Sequence, residues 1–334
     1  MKASVLDGLQ QPLVLKDVPT PTPAAGEALI QLKAAALNHR DVFIQQGQYP
    51  GLKFPCILGS DGAGIVTCVG KDVDESWLGR EVIINPGLLW GNNPKYPSKS
   101  FRILGLPDDG TFAEYIRIPS SQLYAKPTHL SFEEAAAIPL AGLTGFRALY
   151  SRADVQPNDK VLITGIGGGV ALCVLQFALA SAAQVYVTSS SDAKIEQAKK
   201  LGAVGGINYQ ADDWSKQLKT WTQNEGFDVI IDSAGGEGFG KLIELAAPGG
   251  RIAIYGGTHG NWKDVSPQRV FYKQLNIFGS TMGSPQEFQS MLNFIEEKQL
   301  HPVIDRIFPL AEAEQAMRRM EKAEQFGKLV LKME

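Results

Sequence analysis

The period of the hydrophobic positions changes twice along the chain. Up to about residue 124 the apolar runs are short, and residues 28–34, 64–69, 81–84 and 114–118 each read as a strand. Pro19, Pro21, Pro23, Pro50, Pro55, Gly59, Gly62 and Gly79 punctuate them, so a compact β-rich domain is expected. Leu13-Val14-Leu15 is apolar without alternation and stays ambiguous. Near Thr128 a helical period begins. Ser131-Phe132-Glu133-Glu134 has the form of a capping box, and the alanine-rich helix it opens must end or kink by Pro139. From Lys160 onward strand and helix patterns alternate. Strands are expected at 161–164, 184–188, 206–208, 229–232, 251–255 and 277–280, and six strands with helices between them describe a doubly wound α/β sheet. In the tail Ala313, Ala316, Met317 and Met320 keep helical spacing, and 328–332 alternates like a strand.

The first strand of the alternating region runs into Gly165-Ile166-Gly167-Gly168-Gly169, and a helix is expected over 170–182. A strand, a glycine turn and a helix together present unpaired backbone N–H groups to a pyrophosphate. The literal G-x-G-x-x-G spacing fails, because Val170 holds the third place. Shifted by one it becomes Ile166-x-Gly168-x-x-Ala171, with a small residue last. The following strand completes a dinucleotide-binding βαβ unit. No charge occurs from Val161 to Ser191, yet the helix-competent part, at ~1.5 Å per residue, spans only ~20 Å, too short for a ~30 Å hydrocarbon core. The run therefore reads as buried strand–helix–strand and not as a membrane span.

The chain has 334 residues and a net charge of −3, with its basic residues evenly spread, which leaves no footprint for nucleic acid. Its first residues meet a charge before any apolar run and do not have the form of a secretory signal. Cys56, Cys68 and Cys173 are odd in number and unpaired in spacing, as free thiols in a reducing cytoplasm would be.

Ala35-Ala36-Leu37-Asn38-His39-Arg40-Asp41, Leu58-Gly59-Ser60-Asp61-Gly62-Ala63-Gly64 and Gly110-Thr111-Phe112-Ala113-Glu114-Tyr115 follow one another in the first third. Leu143-Thr144-Gly145, Ala198-Lys199-Lys200-Leu201-Gly202-Ala203 and Phe326-Gly327-Lys328-Leu329-Val330-Leu331 come later. In order and spacing these resemble the medium-chain dehydrogenase/reductases, in particular the zinc-independent, quinone-oxidoreductase-like branch. The resemblance implies a Rossmann domain inserted into a GroES-like β-rich catalytic domain, with the catalytic domain over 1–124 and 284–334 and the Rossmann domain over 125–283. It also implies a homodimer in which the last Rossmann strand, near 277–280, pairs with its symmetry mate, and the free thiols make a cytoplasmic location the expectation.

Compared with the zinc-dependent branch, Asn38 stands in place of a cysteine ligand and Ser60 in place of a histidine, and a further ligand position falls near Leu140. Amide, hydroxyl and isobutyl groups do not make the N/S tetrahedron that Zn²⁺ prefers. No cysteine lies between Asn85 and Gly110, where those enzymes carry a structural zinc, and His39, His129, His259 and His301 are scattered. No metal is expected.

Cofactor choice is read at the end of the second strand, where NAD enzymes usually place a carboxylate. Here Thr188-Ser189-Ser190-Ser191 is followed by Lys194, and hydroxyls with a cation suit the 2′-phosphate of NADPH. In the other reading these serines only cap the next helix. The resemblance adds Thr144 and Met282 near the nicotinamide, Tyr209 on the adenosine side, and Ser233 and Gly256 at strand ends. Gly167, Gly168, Gly169 and Val170 complete the cofactor set. Lys328 would either reach the phosphates or be a surface charge opening a strand.

Without a metal, quinones and α,β-unsaturated carbonyls are suited acceptors, because their conjugation takes up hydride with less help. Asn38 and the Tyr49 hydroxyl are the candidate hydrogen-bond donors to the nascent oxyanion. Each has a plainer reading, Asn38 as a turn-stabilising residue and Tyr49 as a loop aromatic. Phe43 stands where relatives often carry a tyrosine. A His39–Asp41 relay is disfavoured, and the aromatic stretch 88–101 would form a lip facing the acceptor. The reading is an NADPH-dependent, metal-free reductase of a small quinone or enone. Its rivals are a zinc-type alcohol dehydrogenase and a nucleotide-binding structural or interaction protein without turnover.

Overall fold

The computed structural model describes residues 1–333. They form two compact units, one from Met1–Leu143 with residues 283–333 and one from Thr144–Met282. The expected boundary at residue 125 is thus corrected to 144. The reason is the capping-box helix, Phe132–Ala136, which packs on strands of the first unit. Ser131 Oγ accepts the Glu134 N–H and Glu134 returns the bond to the Ser131 N–H, and the helix stops before Pro139.

In the first unit the chain runs through β1 (Lys2–Leu6), β2 (Leu13–Asp17), β3 (Glu27–Ala36), α1 (His39–Gln45), β4 (Cys56–Ile57), β5 (Asp61–Val69), β6 (Glu81–Ile84), β7 (Gly87–Leu88), β8 (Arg102–Ile103), β9 (Tyr115–Pro119) and β10 (Leu123–Ala125). The ambiguous segment at Leu13 is thus a strand, and it pairs with β1. A seven-stranded sheet has the order β10-β6-β5-β3 and then two strands from the tail, 328–332 and 304–309, with β9 also on β3. Strand 328–332 lies against β3 with Val330 opposite Ala36. The two ends of the chain therefore close one core, in which Leu6, Ile30, Leu32, Phe112, Leu329 and Leu331 are fully buried.

The second unit holds β11 (Lys160–Ile163), α2 (Gly169–Ala180), β12 (Gln184–Ser189), α3 (Asp192–Lys200), β13 (Gly205–Asn208), β14 (Phe227–Asp232), β15 (Ala246–Ile254) and β16 (Asn276–Gly279). All pairings are parallel, in the order β13-β12-β11-β14-β15-β16. This is the doubly wound order 3-2-1-4-5-6, with its switch point between β11 and β14. No helix among the described residues is long and apolar enough to cross a membrane.

One turn of the first unit tolerates no side chain. Gly59 has φ +96°, and a Cβ there would lie 2.4 Å from the Phe112 ring and 2.6 Å from Thr111 Oγ1. Gly59→Ala is expected to cost ~2 kcal/mol or more by chemical denaturation, since strain and overlap add. Gly79→Ala, at φ +75° in open space, is expected to cost only ~1 kcal/mol, and equal losses would contradict the overlap.

Candidate active site

The turn at Gly59 delivers Ser60 and Asp61 into a buried polar cluster of the first unit. Asp61 opens β5 and has no exposed surface, and Lys328, first residue of the returning strand, is 3% exposed. The Lys328 ammonium donates to the Leu37 carbonyl (2.7 Å), to Asn38 Oδ1 (2.7 Å) and to Asp61 Oδ2 (3.0 Å). Three N–H groups meet three acceptors. Asp61 Oδ2 also accepts from Asn38 Nδ2 (2.9 Å), and Asp61 Oδ1 accepts the Leu140 N–H (2.8 Å).

Lys328 is thereby corrected from a phosphate contact or a surface charge to an internal cation, with no N–H left for a phosphate. Its strand lies between β3 and the strand 304–309, which covers residues that simple alternation would expose. Asn38 sits at the N-cap of α1 with extended backbone, φ −131° and ψ 155°, and forms a capping box with Asp41. Its plainer reading as a turn-stabilising residue therefore holds beside its bonds to Lys328 and Asp61.

A second layer supports the first. Asp41, in the first turn of α1, accepts the Asn38 N–H at Oδ2 (2.8 Å), while its buried Oδ1 has no partner. Burial pushes its carboxyl up to about 6, against the opposing pull of Arg40, the Asn38 N–H and Lys328. Arg40 donates to Ser60 Oγ (2.8 Å) and to the Leu104 carbonyl (2.7 Å), and Ser60 Oγ also donates to that carbonyl (2.8 Å). The Arg40 guanidinium lies over the partly buried Tyr49 ring at 4.9 Å. His39 is exposed with its ring against Phe43, whereas Asp41 is turned inward, so the structure does not join them in a relay. Nor do the aromatics of 88–101 all form a lip. Trp90 is buried edge-on against Phe101, while Tyr96 is exposed.

In the second unit the expected cofactor residues share one sheet edge. Gly167, Gly168, Gly169 and Val170 follow β11, and Ser189 ends β12 with Ser190 after it. Tyr209 follows β13, Ser233 follows β14, Gly256 follows β15 and Met282 follows β16. All these strands run parallel, so these are all carboxyl ends. Thr144 joins them through a 3.8 Å bond from Oγ1 to Met282 Sδ.

Gly165 and Gly167 adopt φ +65° and +119°, and Gly168 caps α2 with nothing within 4 Å of where a Cβ would stand. Lys194 Nζ lies 3.4 Å from the corresponding position on Gly167, so the lysine reaches over the loop. Ser189 is buried, donating to the Ile166 carbonyl (3.4 Å) and accepting from the Ser191 N–H (3.2 Å). Ser191 caps α3 by accepting the Lys194 N–H (3.4 Å), so the capping reading holds for that serine.

Sequence reasoning passed over several residues of this framework. Thr164 Oγ1 donates to the fully buried Asp232 (2.6 Å), whose carboxylate also accepts the Ala234 and Gly235 N–H groups. His259 packs edge-on to Tyr209, with ring centres 6.4 Å apart. A carboxylate closing the apolar run Val229-Ile230-Ile231 was the available signal for Asp232; nothing local marked His259.

Two family models match the chain, the alcohol dehydrogenase GroES-like domain over residues 24–128 and the zinc-binding dehydrogenase over residues 169–297. The zinc-type alcohol dehydrogenase-like protein YogA of Leptosphaeria maculans is 38% identical over 340 residues, covering 96% of this chain and 95% of that protein. The acryloyl-coenzyme A reductase of Metallosphaera sedula is 28% identical, covering 99% of both. A crystal structure of an NAD-dependent alcohol dehydrogenase superposes with a TM-score of 0.93 at 40% identity, over 99% of both chains.

Asp41 generates a test. Its folded-state value, about 6, exceeds its ordinary 3.8, so the folded chain holds the proton more tightly and stability falls as pH rises between the two. Asp41→Asn keeps an acceptor for the Asn38 N–H and removes the buried charge. Thermal unfolding is expected to show the variant more stable near neutral pH, by on the order of 2–3 kcal/mol, with the advantage gone below about pH 4. A difference independent of pH would contradict this.

Proposed function

The chain belongs to the medium-chain dehydrogenase/reductase superfamily, and we propose that within it this protein is an NADPH-dependent reductase of quinones or α,β-unsaturated carbonyls that uses no metal. That it is a nicotinamide-dependent oxidoreductase follows from the family. The finer reading is carried by one observation. Asn38 Oδ1, at the position where the zinc-dependent branch has a cysteine, is bonded to the Lys328 ammonium.

The residues around it do not suit zinc. Asn38 offers an amide already committed at its oxygen, and Ser60 Oγ is held between Arg40 and the Leu104 carbonyl. Leu140 presents a backbone N–H to Asp61. Asp61 bonds both Asn38 and Lys328, and both of its carboxylate oxygens are engaged. This is not the N/S donor set of a zinc site, and two cations, Lys328 and Arg40, stand beside it.

The second unit does suit a dinucleotide. The bare Gly168 at the start of α2 leaves a cradle that a methyl group would occupy, and helix N–H groups face it. Lys194 over the loop supplies a cation for a 2′-phosphate, with the exposed Ser190 beside it. Bound there, a reduced nicotinamide would supply the hydride. In the first unit Asn38 would offer an amide N–H to an acceptor oxygen as negative charge develops on it, with the Tyr49 hydroxyl as the second donor. Two copies would associate through the edge strand β16, close to the exposed Phe271 and Tyr272.

The names of the close relatives favour the rival reading, an alcohol dehydrogenase using zinc and NAD. Steady-state rates with chelator-treated protein separate the two. NADPH is expected to be oxidised by quinones or enones in preference to NADH, and Lys194→Ala is expected to raise KM for NADPH about tenfold while leaving NADH within about twofold. Turnover confined to NAD with alcohols and restored by zinc would establish the rival.

A further inference from the structure

The proposed donor on Asn38 raises a stereochemical problem. A side-chain amide has a donor end and an acceptor end of almost equal size, and rotation by a half-turn exchanges them. An amide with its carbonyl outward would repel a developing oxyanion, whereas its N–H would stabilise it. The orientation of Asn38 therefore decides the polarity of the site.

Resting on the reading of Asn38 as the donor to the acceptor oxygen, we propose that Lys328 and Asp61 are positioning residues that lock the Asn38 amide in the donor-outward orientation. Lys328 Nζ donates to Asn38 Oδ1 at 2.7 Å, and Asp61 Oδ2 accepts from Asn38 Nδ2 at 2.9 Å. The half-turned amide would set its NH2 against the ammonium and its carbonyl against the carboxylate, so two attractive bonds become two repulsive contacts. Lys328 and Asp61 are themselves joined at 3.0 Å, and both are buried, so water does not screen either contact.

Asn38 Nδ2 carries two hydrogens and spends one on Asp61, which leaves the second as the donor. The Asn38 backbone is fixed separately, through its N–H to Asp41, so the lock acts on the amide alone. The pair thus selects for substrates whose oxygen gains negative charge and against those that must donate a hydroxyl hydrogen to this position.

The test is a double-mutant cycle on the full-length protein, with NADPH and a quinone. Asn38→Leu removes the donor, Lys328→Met removes one arm of the lock, and Lys328→Met/Asp61→Asn also turns the other arm into an amide that pairs with either end of Asn38, without leaving a buried unpaired charge. In the Asn38 background the lock variants are expected to lower kcat about tenfold or more with KM for NADPH within about twofold; in the Asn38→Leu background they are expected to lower kcat by less than about twofold. Equal losses in both backgrounds would assign Lys328 and Asp61 a purely structural role and overturn the proposal.

A second measurement does not need turnover. In protein labelled with ¹⁵N-asparagine, the Asn38 side-chain signal, identified by its loss in Asn38→Leu, is expected as one NH2 pair. One proton, the one bonded to Asp61, should be protected from exchange, and the pair should double or lose that protection in the Lys328→Met/Asp61→Asn protein. Two orientations in the unaltered protein, or no change in the variant, would overturn the lock. Absence of quinone turnover together with a single locked NH2 pair would instead remove the reductase reading and keep the lock.

Discussion

The buried ion pair between Lys328 and Asp61 is the interaction on which the first unit depends. It ties the strand at the chain's end to the strand that follows the Gly59 turn, which lie nearly the whole chain apart in sequence. Such a pair is expensive to desolvate, and it persists only where other hydrogen bonds complete both partners. Here Leu37, Asn38 and Leu140 complete them. Loss of one partner would strand the other as a buried charge, typically at about 3–5 kcal/mol.

The same pair turns a fold feature into chemistry. An ammonium beside Asn38 places a buried positive charge there as a fixed hydrogen-bond donor. On the proposed reading the protein's task is to orient a neutral amide, which suits conjugated acceptors that need only modest stabilisation of the developing charge. The second unit contributes an independent element, a parallel sheet whose carboxyl-end loops gather the glycine turn, Lys194, Ser233, Gly256 and Met282 on one edge.

Much of this was legible in the sequence wherever local physics decides structure. The capping box at Ser131, the six strands of the alternating sheet and the strand at Lys328–Lys332 all follow from local pattern, although β15 begins at Ala246, five residues before the expected 251. The site was less legible because its partners are remote. Nothing near Lys328 announces Asp61, and an alternating strand normally exposes its first lysine; only the covering strands make it internal. Asp41 reads as a polar residue of a helix start, yet packing leaves one of its oxygens with no partner. Trp90 in a polar loop reads as a contact for a ligand, but burial against Phe101 spends it on the loop itself. The boundary near residue 125 moved to 144 because a helix may follow one domain's strands in sequence and still pack on them.

The most direct measurement of the central claim is a zinc titration of the chelator-treated protein by calorimetry, with elemental analysis of the dialysed product. The account predicts well below one bound metal per chain, because Lys328 already occupies the Asn38 carbonyl and no N/S donor set surrounds it. One tightly held zinc per chain, lost on Asn38→Leu, would contradict it.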